Sequence, residues 1–124
     1  MKIIEAIDKV NALKPNGYSV GEKIAWLSTL DGLIYSELIE GHEGEYDLEY
    51  SEYDETTPES TELLVPHPYD ELYVHFLESR IHWANEEYGK YNIAATAFEN
   101  AYNNYKKHYT RTHMPKSAKK RFYF

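Results

Sequence analysis

Four segments of the chain carry apolar residues at helical spacing, and this periodicity limits the possible folds more than any other feature. The segments run over Ile3–Lys14, about Val20–Ile39, Pro68 to about Tyr88, and Asn92–Tyr109. Apolar residues that recur every three or four positions predict amphipathic helices that bury one face against each other. We therefore expect an all-α fold, with four main helices in a single domain over residues 1–109.

Turn and capping residues predict where these helices begin and end. Ser19 and Glu22 have the spacing of a capping box at the start of the second helix. Pro68 suits the first position of the third helix, where a missing amide proton costs nothing. Gly89 is expected to end the third helix, and Asn92 is expected to be the N-cap of the fourth.

The connection between the second and third predicted helices is strongly acidic. Residues 41–62 contain nine Asp and Glu residues and no Lys or Arg. Tyr46, Leu48 and Tyr50 alternate with polar residues, and residues 62–65 supply a returning apolar run, which together predict a small β-hairpin. The sequence therefore predicts a hairpin or extended acidic excursion over 41–65, with a disordered acidic loop as the alternative.

The C-terminal segment, residues 110–124, is expected to form a basic tail. From Lys106 to Arg121 the chain carries seven Lys and Arg residues and no acid, and three aromatic residues follow. Consecutive exposed aromatic side chains are unfavourable in water, so we expect this end either to dock on another protein or to fold back onto its own core.

The third predicted helix carries a charged residue within its apolar face. That face comprises Tyr69, Leu72, Tyr73, Phe76, Leu77, Ile81, Trp83, Ala84 and Tyr88. Arg80 falls near its middle, and a buried guanidinium must be paired. Three interpretations stay open: Arg80 pairs with an acid such as Glu37, it faces a neighbouring subunit, or it extends its charged end to solvent.

Tyrosine content points towards assembly. The chain contains 13 tyrosines, and a tyrosine combines an apolar ring with a hydroxyl that needs a partner, as is typical of interfaces. The residues predicted to form interfaces are Arg80, Tyr102, Tyr105, Tyr109, Arg111, Arg121, Phe122, Tyr123 and Phe124.

The sequence carries no recognisable catalytic motif, so we expect no enzyme and no cofactor. It has no phosphate-binding glycine loop and no nucleophile elbow, and zero cysteines exclude a thiolate metal site. Glu71, His75, Glu78 and His82 share one arc of the third helix and form a metal hypothesis. This arc lies opposite the apolar face, where solvated residues are usual, so we expect no metal site.

Charge and hydropathy limit the remaining classes. No segment approaches the roughly 18 apolar residues that cross a bilayer, so we expect no membrane partner. The net charge of −8 argues against a dedicated DNA-binding protein, although the basic tail allows non-specific proximity to DNA.

One stretch of residues carries a family resemblance. It comprises Leu64-Val65-Pro66-His67-Pro68-Tyr69-Asp70-Glu71-Leu72-Tyr73, Ile81, Ala84-Asn85-Glu86, Tyr91-Asn92, Phe98-x-x-Ala101-Tyr102 and Tyr109-x-Arg111-Thr112-His113. This pattern, which lies within residues 63–115, resembles small tailed-phage and prophage proteins of the head–tail connector type, also called adaptor or head-completion proteins.

The resemblance implies a structural role. Such subunits form a ring under the portal protein at the capsid vertex, contact tail or neck proteins and line part of the DNA conduit. It implies a protein made in the bacterial host cytoplasm and located in the neck of the virion, with no catalytic residues. The alternative is a small acidic adaptor or regulator that binds one host or phage protein.

Overall fold

The computed structural model describes residues 1–40 and 50–113 and confirms the all-α prediction. Its helices are α1 (Ile3–Leu13), α2 (Val20–Ile34), α3 (Leu72–Ala84) and α4 (Tyr88–Thr112), and a π-helix (Tyr35–Ile39) continues α2. No strand occurs within the two described ranges.

The apolar core lies where α1, α2 and α3 meet. The side chains that are almost completely buried there include Ile3, Ile7, Val10, Leu27, Ile34, Leu72, Leu77 and Ile81. Among the described helices, α4 contacts α3 and the π-helix but neither α1 nor α2. The helices α3 and α4 thus form a hairpin, and α4 is the outer layer of the fold.

The sequence predicts one continuous helix to Ile39, whereas the structure changes its hydrogen-bonding pattern at Tyr35. The Glu40 amide donates to the Tyr35 carbonyl at 2.8 Å, five residues back. This wider turn accommodates two consecutive buried side chains, Leu38 and Ile39. At the other end, Ser19 caps α2 as predicted, because its Oγ accepts a hydrogen bond from the Glu22 amide at 3.1 Å.

The predicted β-hairpin is not confirmed. The predicted first strand lies mostly within residues 41–49, outside the described residues. The predicted returning strand instead forms a single antiparallel bridge between Glu62 and Lys2.

The same segment caps α1. The amides of Ile3 and Ile4 donate to the carbonyls of Thr61 and Glu59, both at 3.0 Å. The first amides of a helix have no partner within the helix, so the connection to α3 satisfies donors that would otherwise need a capping side chain.

Asp31, on α2, is fully buried. It binds the segment that connects the π-helix to α3 and so holds that segment against the core. Its carboxylate accepts hydrogen bonds from the hydroxyls of Tyr53 at 2.7 Å and Tyr73 at 2.6 Å, and from the Leu64 amide at 3.1 Å. The Tyr73 hydroxyl in turn accepts from the Val65 amide at 2.8 Å. Burial raises the pKa of the Asp31 carboxyl, and the three donors act in the opposite direction. These donors offset the cost of burying the carboxylate.

The turn between α3 and α4 differs from its prediction. The third helix ends at Ala84, so Gly89 and Asn92 lie within α4 instead of at its start. The chain reverses at Glu86, which has a φ of 60°. The Glu86 amide donates to the Trp83 carbonyl at 3.0 Å and the Glu87 amide to the His82 carbonyl at 2.9 Å, the two bonds of a Schellman motif.

The start of α3 also differs from its prediction. Residues 66–71 form turns, with the Tyr69 amide donating to the Pro66 carbonyl at 3.0 Å. The helix therefore begins at Leu72 instead of Pro68.

The network around Asp31 predicts unequal costs for two Tyr→Phe substitutions. Tyr73→Phe removes a donor to Asp31 and the acceptor of the Val65 amide, so it should lower the free energy of unfolding by about 2 kcal/mol. Tyr53→Phe removes one donor and should cost about 1 kcal/mol. Urea unfolding measures both; Tyr88→Phe, at a ring that is 52% exposed, is the control. Equal stability of all three variants would contradict the role given to Asp31.

The positive φ at Glu86 predicts that Glu86→Gly stabilises the protein. A side chain in the left-handed conformation costs about 1 kcal/mol that glycine avoids, so the free energy of unfolding should rise by about that amount. Glu99→Gly, at an exposed position within α4, should instead lower it by about 1 kcal/mol. Thermal and urea unfolding of the pair provide the test, and a loss of stability in Glu86→Gly would contradict the turn geometry.

Candidate interaction surfaces

Aromatic side chains and one arginine form a cluster near the turn between α3 and α4. This aromatic–arginine patch consists of Phe76, Arg80, Trp83, Tyr88 and Tyr91. The Trp83 ring lies 5.2 Å from the Tyr88 ring and 5.1 Å from the Tyr91 ring. The Arg80 guanidinium carbon lies 5.6 Å from the ring centres of both Phe76 and Tyr91. Trp83 and Tyr88 are each 52% exposed.

Arg80 lies between aromatic rings, and no carboxylate of the described residues pairs with it. Its Nη2 donates to the Tyr91 hydroxyl at 3.3 Å, and its Nε is buried without a hydrogen-bond partner among the described residues. The predicted alternative of a pair with Glu37 is wrong, because Glu37 accepts from Tyr102 at 2.7 Å and pairs with Lys106 at 2.9 Å. Cation–π attraction to the rings of Phe76 and Tyr91 stabilises the charge of Arg80.

Glu87 fixes the turn beside the patch. Hydrogen bonds from Asn85 and His82, followed by those from Lys14 and Lys90, lower the pKa of Glu87 to about 2. The ion pair with Lys14, at 3.2 Å, connects the turn to the residue that follows α1. Several hydrogen-bond donors to Glu87 thus hold the turn next to the patch in one conformation before any partner binds.

Helical periodicity did not predict this patch, because it places Trp83 and Tyr88 on the buried face of the third helix. The helix ends at Ala84, so α4 covers the earlier turns of α3 and leaves its last turn partly exposed. The residue types alone indicate a binding surface, since Arg80 and Trp83 lie within one helical turn and Trp and Arg are typical of binding surfaces.

The outer face of α4 forms a second candidate surface, which is basic. A groove of about 550 Å³ lies here, and the described residues that line it are Asn103, Lys106, Lys107, Thr110 and Arg111. Lys107 and Arg111 are exposed and one helical turn apart, and neither forms an ion pair within residues 1–40 and 50–113. We call the side chains that line this groove the α4 basic face.

The structure separates the residues that were predicted to form interfaces. Arg80 and Arg111 lie on the two surfaces described above. Tyr105 and Tyr109 are buried in the subunit's own core, 3% and 7% exposed, and the half-buried Tyr102 donates to Glu37. Three hydroxyl-bearing rings of α4 thus pack mainly within the subunit. The other predicted interface residues, Arg121, Phe122, Tyr123 and Phe124, lie outside the described residues.

The structure places Glu71 and His82, two of the four residues of the metal hypothesis, in different surroundings. Glu71 pairs with Lys9 on the surface at 3.0 Å. His82 was expected to be solvated, but it is 5% exposed and lies between Glu78 and Glu87, at 3.5 and 3.3 Å. The described residues contain no group of three or more potential ligands that would hold a metal ion.

Comparison with known proteins identifies no relative. No protein-family model, curated protein or solved structure matches the chain. The helices of the described residues include none that is long and apolar enough to cross a membrane.

The Glu37 cluster predicts a pH-dependent contribution to stability. Hydrogen bonds from Lys106 and then Tyr102 lower the pKa of Glu37. A folded-state pKa below the unfolded value stabilises the protein above the unfolded value, and the stabilisation is lost as pH falls through the folded value. Glu37→Gln should therefore lower the free energy of unfolding by about 0.5 kcal/mol near neutral pH, because exposure screens the pair.

The cost of Glu37→Gln should vanish when Glu37 is protonated in the wild type. Urea unfolding near neutral pH and at about pH 2–3 tests this, with Glu99→Gln on α4 as the matched control. An equal difference at both pH values would contradict the assigned ion pair.

Proposed function

We propose that the protein is a non-enzymatic structural subunit that binds other proteins, and that it serves as a head–tail connector of a tailed phage or prophage. The observation that carries the proposal is the aromatic–arginine patch near the turn between α3 and α4. The resemblance of residues 63–115 to connector proteins supports the choice of portal and tail or neck proteins as partners.

The composition of the patch favours protein binding. Trp, Tyr and Arg are the residues most enriched among those that dominate binding energy at interfaces. Trp83 and Tyr88 expose about half of their surface, and exposed apolar surface next to polar residues is typical of contact sites. A partner that covers these rings would bury apolar area that the subunit leaves in water.

The surroundings of Arg80 strengthen this interpretation. The guanidinium is flanked by two rings and lacks a carboxylate partner among the described residues. The side chain of Arg80 as a whole is only partly buried, and arginine binds carboxylate and carbonyl oxygens of other proteins with defined geometry.

The patch is also fixed in place before binding. Ring contacts orient Trp83 between Tyr88 and Tyr91, and the hydrogen bonds of Glu87 fix the turn. Since side chains that are already ordered lose little entropy on association, this arrangement favours affinity. In the proposed assembly, copies of the subunit form a ring on the portal in the virion neck, and DNA passes nearby.

Trp83→Ala should weaken association with the portal. Light scattering of the protein alone and mixed with its cognate portal ring should show a large complex of defined stoichiometry. Removal of a central aromatic side chain typically costs about 2 kcal/mol, or roughly 30-fold in the dissociation constant. Leu33→Ala, at a 61% exposed position on α2, is the matched control and should bind normally.

Two outcomes would overturn the proposal. A folded protein that does not associate with the portal at physiological salt is not a connector, and the adaptor alternative would replace this function. Portal binding that Trp83→Ala leaves unchanged would show that the patch is not the contact surface. Circular dichroism of each variant verifies that it is folded.

A further inference from the structure

We infer that the α4 basic face is the docking site for the acidic loop of a second copy of this chain. The acidic loop is residues 52–59, with Glu52, Asp54, Glu55 and Glu59. This inference rests on the proposed function, because it specifies how neighbouring subunits would contact each other in the ring.

The acidic loop presents negative charge that no cation among residues 1–40 and 50–113 neutralises in an ion pair. All four of its acids are exposed, and none forms an ion pair with the residues that the structure describes. The loop also carries no Lys or Arg. Its charge is therefore available to a cationic surface.

The structure of the loop is held by hydrogen bonds. The Tyr53 amide donates to the Ser28 Oγ at 2.9 Å, and the Tyr53 hydroxyl donates to Asp31 at 2.7 Å. Asp54 accepts from the amide of Thr56 at 2.8 Å and from its hydroxyl at 2.6 Å. The acids are thus carried on an ordered segment, which reduces the entropy that docking would cost.

The α4 basic face has the complementary charge. Lys107 and Arg111 are separated by four residues on one helix, where like charges repel each other. The Arg111 Nε donates to the Lys107 carbonyl at 3.2 Å, which leaves the other guanidinium nitrogens for an external acceptor. A carboxylate placed between these two cations would relieve their repulsion.

Among the described residues, no ion pair joins the two surfaces within one subunit. Glu55 lies against Gly21, in the first turn of α2. The α4 basic face lies beside the π-helix at the far end of α2, where Lys106 pairs with Glu37. At 1.5 Å per residue these ends are about 20 Å apart. Glu55 is thus too far from this end of α2 to pair with the α4 basic face of its own subunit, and we assign the contact to two copies.

This contact is head-to-tail, because different surfaces of the two copies meet. Interfaces of this kind produce a ring when the rotation between copies closes. The net charge of −8 makes copies of the chain repel each other in most orientations. Within the part of the chain that the structure describes, the α4 basic face is a cationic surface on an acidic protein, so electrostatic attraction favours orientations that bring it to the acidic loop.

Charge reversal provides the test. Sedimentation velocity at millimolar protein concentration should show self-association at about 0.02 M salt and dissociation at about 0.5 M salt, because screening weakens exposed charge pairs. Lys107→Glu/Arg111→Glu and Glu55→Lys/Glu59→Lys should each weaken self-association by about tenfold or more. The chain that carries all four substitutions should regain it, since the charges are then complementary again.

A matched control separates the effect of position from that of net charge. Asp8→Lys/Glu99→Lys changes the net charge by the same amount as Glu55→Lys/Glu59→Lys, at exposed positions on α1 and α4. This control should retain self-association. If the control lost as much self-association as Glu55→Lys/Glu59→Lys does, the inference would be overturned.

Three further results would also overturn the inference. The wild-type chain could stay monomeric at low salt, or the chain with four substitutions could fail to regain self-association. Lys107 and Arg111 could also prove necessary for binding a short DNA duplex but not for self-association.

The portal experiment is independent of this one. Portal binding without the charge-reversal pattern would leave the proposed function standing, whereas rescue without portal binding would leave the contact between copies standing.

Discussion

The buried carboxylate of Asp31 is the interaction on which the rest of the structure depends. It lies on α2 and accepts hydrogen bonds from Tyr53 and Leu64 in the long connection and from Tyr73 on α3. A buried carboxylate that lost these donors would be strongly unfavourable, so its presence requires that three parts of the chain meet. The same connection then caps α1 through its carbonyl groups. One ionisable group therefore organises the part of the fold that lacks regular secondary structure.

The α3–α4 hairpin presents two surfaces of different chemistry. Near its turn, Arg80 and Trp83 belong to an exposed group of rings, whereas the C-terminal half of α4 is basic around Lys107 and Arg111. Burial of rings contributes mainly to affinity, while exposed charges contribute mainly to orientation and to the rate of association. A subunit that joins one partner firmly and its own copies in a defined orientation would use both. The separation of the two surfaces along the hairpin is consistent with the proposed position in a ring.

Sequence periodicity predicted the helices well where capping residues agreed with it. Ser19 caps α2 at the predicted position, and α1 ends within one residue of its predicted end. The prediction was wrong at the α3–α4 turn, because it relied on Gly89 and Asn92, whereas Glu86 adopts the left-handed conformation. Schellman hydrogen bonds and the contacts of Glu87 offset the cost of that conformation, and neither is visible in a single sequence. Because the third helix was predicted to continue to Tyr88, Trp83 and Tyr88 were expected to be buried. The helix ends at Ala84 instead, and both side chains are about half exposed.

The sequence by itself determined the all-α class, the four helical segments and the opposite charges of the acidic connection and the C-terminal half of α4. These properties depend on residues close together in the chain, so local periodicity and composition are sufficient to predict them. Only the tertiary structure decided that Tyr105 and Tyr109 pack in the core, that Glu37 pairs with Lys106 instead of Arg80, and that Arg80 lies between two rings. Each of these contacts joins residues on different helices or depends on how α4 covers α3. Their formation therefore follows from the packing of the helices, which periodicity alone does not specify.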